Sequence, residues 1–376
     1  MNSYPARTPR RILMTADTVG GVWTYALELA RALETEEVEI TLATMGARLS
    51  RGQIREANSI PNLEICSSHY KLEWMPNPWR EVTAAGEWLV ELAESRRPDV
   101  IHLNEYAHGA LPWPAPVLMV AHSCVLSWWR AVKGYEAPPE YDRYREAVAS
   151  GIRAADFLVA PSRAMLDSFR QCHGPLPPAE VIPNGRQPEL FQPGEKKDRI
   201  FTAGRLWDEA KNVAAVAAAA QDLPWPVYVA GESRSPEGRR FKRRHIHPLG
   251  QLPADELAGW LSESSIFALP AYYEPFGLCA LEAGLAGCAL VLGDIPSLRE
   301  IWGDAAVFVP PDDRPALKAA FERLIGNRAL LNRMGARALM RATEFSPRKM
   351  ARRYLSVYAR LMEKSRKPKE PIPCVS

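Results

Sequence analysis

Strands and helices alternate along this sequence in two successive series, so the predicted class is α/β, with two parallel-sheet halves. Three observations carry that reading. Short apolar runs of strand length recur, each followed by a segment with apolar residues at helical spacing. Turn residues, mostly Gly and Asn, stand where these runs end. A stretch rich in Pro, Gly and charge at 187–198 then separates one series from the next.

In the first series, 11–16 reads as a buried strand, and 23–33 places Trp23, Leu27 and Ala30 on one helical face. Between them lies Asp17-Thr18-Val19-Gly20-Gly21, a glycine-rich strand-to-helix turn. Ligands of open α/β sheets bind at such strand ends, although a plain turn pair fits the two glycines as well. The G-x-G-x-x-G dinucleotide fingerprint is absent, which speaks against a nicotinamide cofactor. Further strands are expected at 38–44, 100–103, 117–121 and 156–160, and helices at 78–95 and 141–154. His122 directly follows a strand in M-V-A-H-S-C, so it projects from a strand end and suits a crevice or a structural hydrogen bond. His102, inside D-V-I-H-L-N, reads as structural, and His108 stays open. Trp74, Trp79, Trp113, Trp128 and Trp129 crowd this half, as core packing or as an aromatic wall for a sugar.

The second series opens after V-I-P-N-G (181–185) and the break that follows it. A strand at 199–203 ends in Ala203-Gly204 and leads to Arg205 and Lys211, then to an Ala/Val-rich helix at 212–221. A guanidinium and an ammonium around such a turn suit a diphosphate, and Gly204 permits close backbone approach. Surface pairing with Asp208 or Glu209 is the alternative. A strand at 227–230, a helix at 255–262 and a strand at 265–269 come next, with another strand at 288–292.

The stretch 270–284, P-A-Y-Y-E-P-F-G-L-C-A-L-E-A-G, reads as a loop running into a helix N-terminus. Gly277 has no Cβ to obstruct a ligand, and the N–H groups of Gly277, Leu278 and Cys279 are candidate free donors for a phosphate. Glu274 and Glu282 flank them and suit sugar hydroxyls. Taken alone, the pair also fits an N-terminal acid and a solvated helix glutamate.

Composition narrows the function classes. The 376 residues suit two domains of ordinary size or one large one, and 47% hydrophobic with 24% charged residues is the composition of a soluble globular protein. A net charge of +3 is too small to argue for nucleic-acid binding. No apolar run reaches the length of a membrane span, and the run at 12–14 is too short for a signal peptide. Six scattered cysteines without a C-x-x-C read as reduced thiols, and no metal-ligand spacing is present. The basic run 238–247 reads as a solvated loop, Asp312-Asp313 as a helix cap, and 347–362 as a last helix before a charged tail.

In this order the motifs resemble the retaining GT-B glycosyltransferases of family 4. The carrying residues are Gly20-Gly21, V-I-P-N-G, A-G-R with the later Lys-Asn, and E-P-F-G-L-C-A-L-E, the E-x7-E pattern from Glu274 to Glu282. E-F-S-P-R-K-M-A-R-R-Y resembles the terminal helix that crosses back to the first domain of that fold. The resemblance implies a GT-B fold, two Rossmann-like domains facing across a cleft. Its expected parts are an acceptor-side domain at 1–186, a linker at 187–198, a donor domain at 199–345 and the returning helix with its tail at 346–376.

It further implies a hexosyltransferase that moves a sugar from a nucleotide donor to a glycan, lipid or small-molecule acceptor. Arg205 and Lys211 would hold the diphosphate, Glu282 the ribose and Glu274 the transferred sugar, with backbone support from Phe276, Gly277, Leu278 and Cys279. Gly20 and Gly21 would close over the donor, Gly204 would line it, and His122 would contact donor sugar or acceptor. No metal or other cofactor and no nucleic acid are implied. A cytoplasmic place is, with contact at the inner face of a membrane left open. Two features depart from the pattern: Asn104 stands where many relatives carry histidine, and Arg186 follows P-N-G where an aliphatic residue is usual. The competing readings are a phosphorylase, a nucleotide-sugar epimerase and a non-catalytic sugar-nucleotide binder. Lys211→Ala is expected to lower turnover while leaving the melting temperature nearly unchanged.

Overall fold

The computed structural model describes residues 8–234, 238 and 240–366. Arg239 of the basic run, Cys374 and the tail at 367–376 lie outside the described residues.

The first series folds as a seven-stranded parallel sheet. Its strands are β1 (Arg11–Asp17), β2 (Glu39–Met45), β3 (Leu63–Ser67), β4 (Val100–Leu103), β5 (Val117–Val120), β6 (Phe157–Ala160) and β7 (Ala179–Val181). Their spatial order is β3-β2-β1-β4-β5-β6-β7, so the winding reverses between β1 and β4. The second sheet has six parallel strands: β8 (Lys197–Ala203), β9 (Val227–Ala230), β10 (His247–Gly250), β11 (Ser264–Leu269), β12 (Ala289–Gly293) and β13 (Val307–Val309). Its order, β10-β9-β8-β11-β12-β13, reverses between β8 and β11. Both halves are therefore Rossmann-like. A reversal opens a crevice at the carboxyl ends of the two strands beside it, and that is where ligands of such sheets sit.

The central strands were legible because helices cover both sheet faces. β4, β5, β11 and β12 are buried throughout and so read as unbroken apolar runs. Edge strands β3 and β10 went unread for the converse reason. They are largely half-buried or exposed, and their sequences, LEICS and HPLG, show no apolar run.

Among the described residues thirteen α-helices pack on the sheets. Those that position the site are α1 (Gly21–Leu33), α4 (Val125–Lys133), α6 (Arg163–His173), α7 (Val213–Ala219), α9 (Leu278–Leu285) and α13 (Pro347–Arg366). Helix α7 starts one residue later than its alanine run suggests, because Asn212 adopts a left-handed φ of 55°. The Asn212 amide then donates to Pro270 O at 2.9 Å and Pro311 O at 2.6 Å, tying neighbouring loops together. Asp313 caps its helix as expected, accepting from Ala316 N at 2.8 Å.

Helix α13 lies against the first sheet. Tyr354, Tyr358 and Leu361 are buried in the same cluster as Tyr25 and Leu29 of α1. His102 is structural: its Nδ1 stands 2.7 Å from Tyr358 Oη and its Nε2 3.2 Å from Tyr25 Oη. Arg353 and Arg360 pair with Glu180, at 2.9 and 2.6 Å, on the exposed side. Among the described residues no helix is long and apolar enough to cross a membrane.

Candidate active site

The crevice is built from strand ends. β11 delivers the loop at 270–277 and then α9, whose N-terminal flank is Gly277 at φ 90° and ψ 62°. That left-handed conformation suits glycine. No side chain caps α9, so its first-turn N–H groups, those of Leu278, Cys279 and Ala280, have no intrahelical acceptor. The Phe276 ring is buried against Phe345, so only its backbone is available there. Burial pushes the Cys279 thiol up to about 12, which leaves it protonated and unreactive at neutral pH.

Opposite stands the turn after β1. Gly20, at φ 108°, has open space where a Cβ would be. A methyl group on Gly21 would lie 3.4 Å from the Leu278 side chain. The Gly-Gly turn of one half thus faces the helix N-terminus of the other at contact distance.

The turn after β8 brings in the cations. Gly204 lies at φ 150°, and the Lys211 side chain passes over it at 3.8–3.9 Å from where a Cβ would sit. Lys211 Nζ donates to Glu274 Oε2 at 2.5 Å, joining the two strand-end loops. Burial works against the Lys211 charge, but the Glu274 carboxylate more than offsets this, so the pKa stands above the ordinary lysine value. Arg205 does pair within its own turn: its Nη2 donates to Asp208 Oδ2 at 3.0 Å. Asp208 Oδ1 in turn accepts from Trp128 Nε1 of α4 at 3.1 Å, which links the two halves. That bond takes Trp128 out of the set of plain core tryptophans.

Glu282 lies deeper than a free ligand-binding carboxylate, at 5% exposure. Its Oε1 accepts from Arg186 Nε at 2.8 Å, and Arg186 Nη1 donates to Glu28 of α1. Burial raises the pKa of Glu282, and Arg186 opposes that shift. Arg186, noted in the sequence as a departure, is therefore the internal partner of the second glutamate.

In the first half, His122 follows β5 and Asn104 follows β4. His122 Nε2 stands 2.8 Å from Asn104 Oδ1, and the imidazole meets the Tyr25 ring edge-on at 4.5 Å. Burial lowers the His122 pKa to about 3, so it is neutral at physiological pH. His108 is internal, bonded to Glu105 Oε1 at 3.0 Å and Val82 O at 2.9 Å.

Sequence reasoning missed several residues of this region. Asp17 ends β1 with its pKa pushed up to about 7 by burial, a shift that the nearby Arg205 charge opposes. Tyr273 inserts into the first half, where its hydroxyl accepts from Cys124 N at 3.0 Å and lies 2.8 Å from Ser127 Oγ. Ser162 Oγ donates to Pro275 O at 2.7 Å, and Glu300 caps α6 through the N–H groups of Arg163 and Ala164, at 2.7 and 2.8 Å. Tyr273 sits inside the quoted stretch, so its place beside Glu274 was the available signal. Glu300 carried none.

Comparison with known proteins agrees with this architecture. Residues 19–190 match the model of Glycosyltransferase Family 4, and residues 197–327 match that of Glycosyl transferases group 1. Glycogen synthase of Mycobacterium tuberculosis H37Rv is 29% identical over 326 residues, which is 77% of this chain and 76% of that protein. Among solved structures, sucrose-phosphate synthase from Thermosynechococcus elongatus superposes with a TM-score of 0.79 at 18% identity, covering 94% of this chain and all of that one. Anabaena Alr3699/HepE in complex with UDP and glucose superposes with a TM-score of 0.74 at 16% identity, over 94% of this chain and 100% of that one. With two family matches spread over both sheets and a GT-B architecture throughout, the chain belongs to the family 4 glycosyltransferases.

Proposed function

We propose that the protein transfers a sugar from a nucleoside diphosphate sugar to an acceptor hydroxyl, with retention at the anomeric carbon and without a metal ion. The observation that carries this is the Lys211–Glu274 pair at 2.5 Å, set between the uncapped N-terminus of α9 and the Gly20-Gly21 turn. A cation, N–H donors without an intrahelical acceptor and a carboxylate close together support this reading, in which Glu274 binds the transferred sugar. The Anabaena neighbour bound to UDP and glucose supports a donor of that class.

In this reading the bond between the anomeric carbon and the diphosphate oxygen breaks, and its electron pair stays on the phosphate. Lys211, Arg205 and the first turn of α9 stabilise the charge that develops there. These groups are fixed before the reaction and supply the positive charge a metal ion would otherwise bring. The acceptor oxygen bonds to the anomeric carbon, and its proton passes to the departing phosphate. Glu274 holds hydroxyls of the transferred sugar rather than acting as nucleophile. Glu282 reaches the ribose while Arg186 holds its other oxygen. Contacts across the cleft, such as Tyr273 with Cys124 and Ser127, exclude water and favour transfer over hydrolysis. Retention rests on the family resemblance.

A thermal-shift panel of UDP, GDP, ADP and dTDP, followed by the matching nucleotide sugars with chelator, tests this. One nucleotide is expected to stabilise the protein, and its sugar to be consumed at an undiminished rate in EDTA, giving a product of unchanged anomeric configuration. No stabilisation by any nucleotide would sink the donor reading. Sugar phosphate or an epimerised donor as the product would replace transfer with another reaction.

A further inference from the structure

The acceptor-side histidine ends a chain of hydrogen bonds, buried as far as Thr15 and part-buried at Asn104 and His122, whose donors and acceptors are fixed by chemistry at every link. The chain starts at a backbone carbonyl, Val82 O, which can only accept, so His108 Nε2 donates to it at 2.9 Å. His108 Nδ1 lies 3.0 Å from Glu105 Oε1, where it donates to the carboxylate. Two donating nitrogens make His108 an imidazolium. Burial works against that charge, and Glu105 outweighs it, so the His108 pKa stands above the ordinary value. The other oxygen, Glu105 Oε2, is 2.6 Å from Thr15 Oγ1. Thr15 Oγ1 also receives the Asn104 backbone N–H at 2.9 Å, and its own proton goes to Glu105.

Asn104 carries the constraint onward. Its Nδ2 donates to Thr15 O at 2.6 Å, which fixes the amide with Oδ1 on the opposite side. Oδ1 only accepts, and it lies 2.8 Å from His122 Nε2, so the neutral ring carries its proton there. Thr15 is fully buried, and Glu105 and His108 are at 9% and 4% exposure, so water does not compete for the links among these three.

We infer that Thr15, Glu105 and His108 are positioning residues that lock Asn104, and through it hold His122 in the Nε2–H form with an unprotonated Nδ1. The inference rests on the placement of His122 in the proposed sugar-transfer site. It also specifies the ligand: the group that meets His122 Nδ1 is a hydroxyl donating a hydrogen bond. A phosphate or carboxylate oxygen, having no proton to give, is rejected at that position. Asn104, a departure from the family pattern, is the residue that transmits the constraint.

The tautomer is read directly from two-bond proton–nitrogen correlations of the 15N-histidine-labelled full chain without substrate, with His122 assigned by its loss in His122→Gln. The expected result is the Nε2–H form in the unaltered protein and in Thr15→Ser. In Thr15→Val, which keeps the main-chain oxygen but loses the hydroxyl that anchors the Asn104 backbone N–H and so the turn carrying its amide, a mixed or inverted tautomer is expected, with kcat lower by about tenfold or more. An Nδ1–H form in the unaltered protein overturns the inference and needs no variant to fold. An unchanged tautomer or unchanged kcat in a folded Thr15→Val overturns it as well. The tautomer reading needs no donor, whereas the sugar-transfer reading fails separately if no nucleotide stabilises the protein.

Discussion

Arg186 Nε donates to Glu282 at 2.8 Å while Nη1 of the same guanidinium donates to Glu28, so one cation between the two sheets holds a carboxylate from each half. All three side chains are at most 6% exposed. Arg186→Met leaves two buried carboxylates without their shared cation. The expected loss is about 3–5 kcal/mol in denaturant unfolding. Adding Glu28→Gln to that variant is expected to restore part of it. Equal stability of Arg186→Met and the unaltered protein would show that the triad contributes nothing net.

Lys211 and Glu274 are similarly coupled, at 19% and 13% side-chain exposure. This corrects the expectation of an unchanged melting temperature in Lys211→Ala, since removing the lysine strands Glu274. Turnover is expected to fall by about 10²–10³-fold, with a stability loss of about 1–3 kcal/mol. Lys211→Ala/Glu274→Gln is expected to regain stability without regaining turnover. Recovery of turnover in the double variant would remove the phosphate role from Lys211.

Tyr273→Phe probes closure. The lost hydroxyl leaves the Cys124 N–H and Ser127 Oγ facing an apolar ring edge. A cost of about 1–3 kcal/mol is expected, together with a larger radius of gyration in solution scattering and more donor hydrolysis relative to transfer. An unchanged hydrolysis ratio would deny this contact a part in excluding water.

Stability should also carry a titration from Glu73, which accepts from the N–H groups of Tyr106 and Ala107. Burial, then the Glu105 charge, raises its pKa from 4.5 to about 7. Between those values the folded state binds the proton more readily than the unfolded one. The Glu73 contribution is therefore greatest below about pH 4.5 and is lost as pH rises through about 7. His102 and His122, both lowered to about 3 by burial, act in the opposite sense and cost stability below about pH 6.5. The informative quantity is the stability of Glu73→Gln relative to the unaltered protein. It should rise between pH 4.5 and 7 by up to about 3 kcal/mol, measured by urea unfolding. A flat difference would show that Glu73 does not titrate in that window.

The legible parts of the site share one property: their chemistry depends on neighbours in sequence. The loop into α9, the Gly20-Gly21 turn and the placement of Lys211 before Asn212 each occupy a strand-to-helix turn, and local pattern is enough to find such turns. His102 was readable as structural because it sits inside a buried strand. Glu300, Glu28 and Trp128 were not readable, because nothing beside them in sequence indicates which helix end, guanidinium or carboxylate they meet.

From the sequence came the α/β alternation, the two series and their break, and the residue types at the strand-to-helix turns on which the proposed donor site rests. These follow from periodicity and turn chemistry, which act over a few residues. Tertiary structure alone decided the pairings. Arg186 became a cation shared by Glu28 and Glu282, 158 and 96 residues away. Lys211 was drawn to Glu274, 63 residues away, whereas the Arg205–Asp208 pair, three residues apart, was one the sequence already offered. Buried charges and hydrogen-bond donors must find partners wherever the two sheets bring them together, and that meeting is a property of the assembled crevice rather than of any segment.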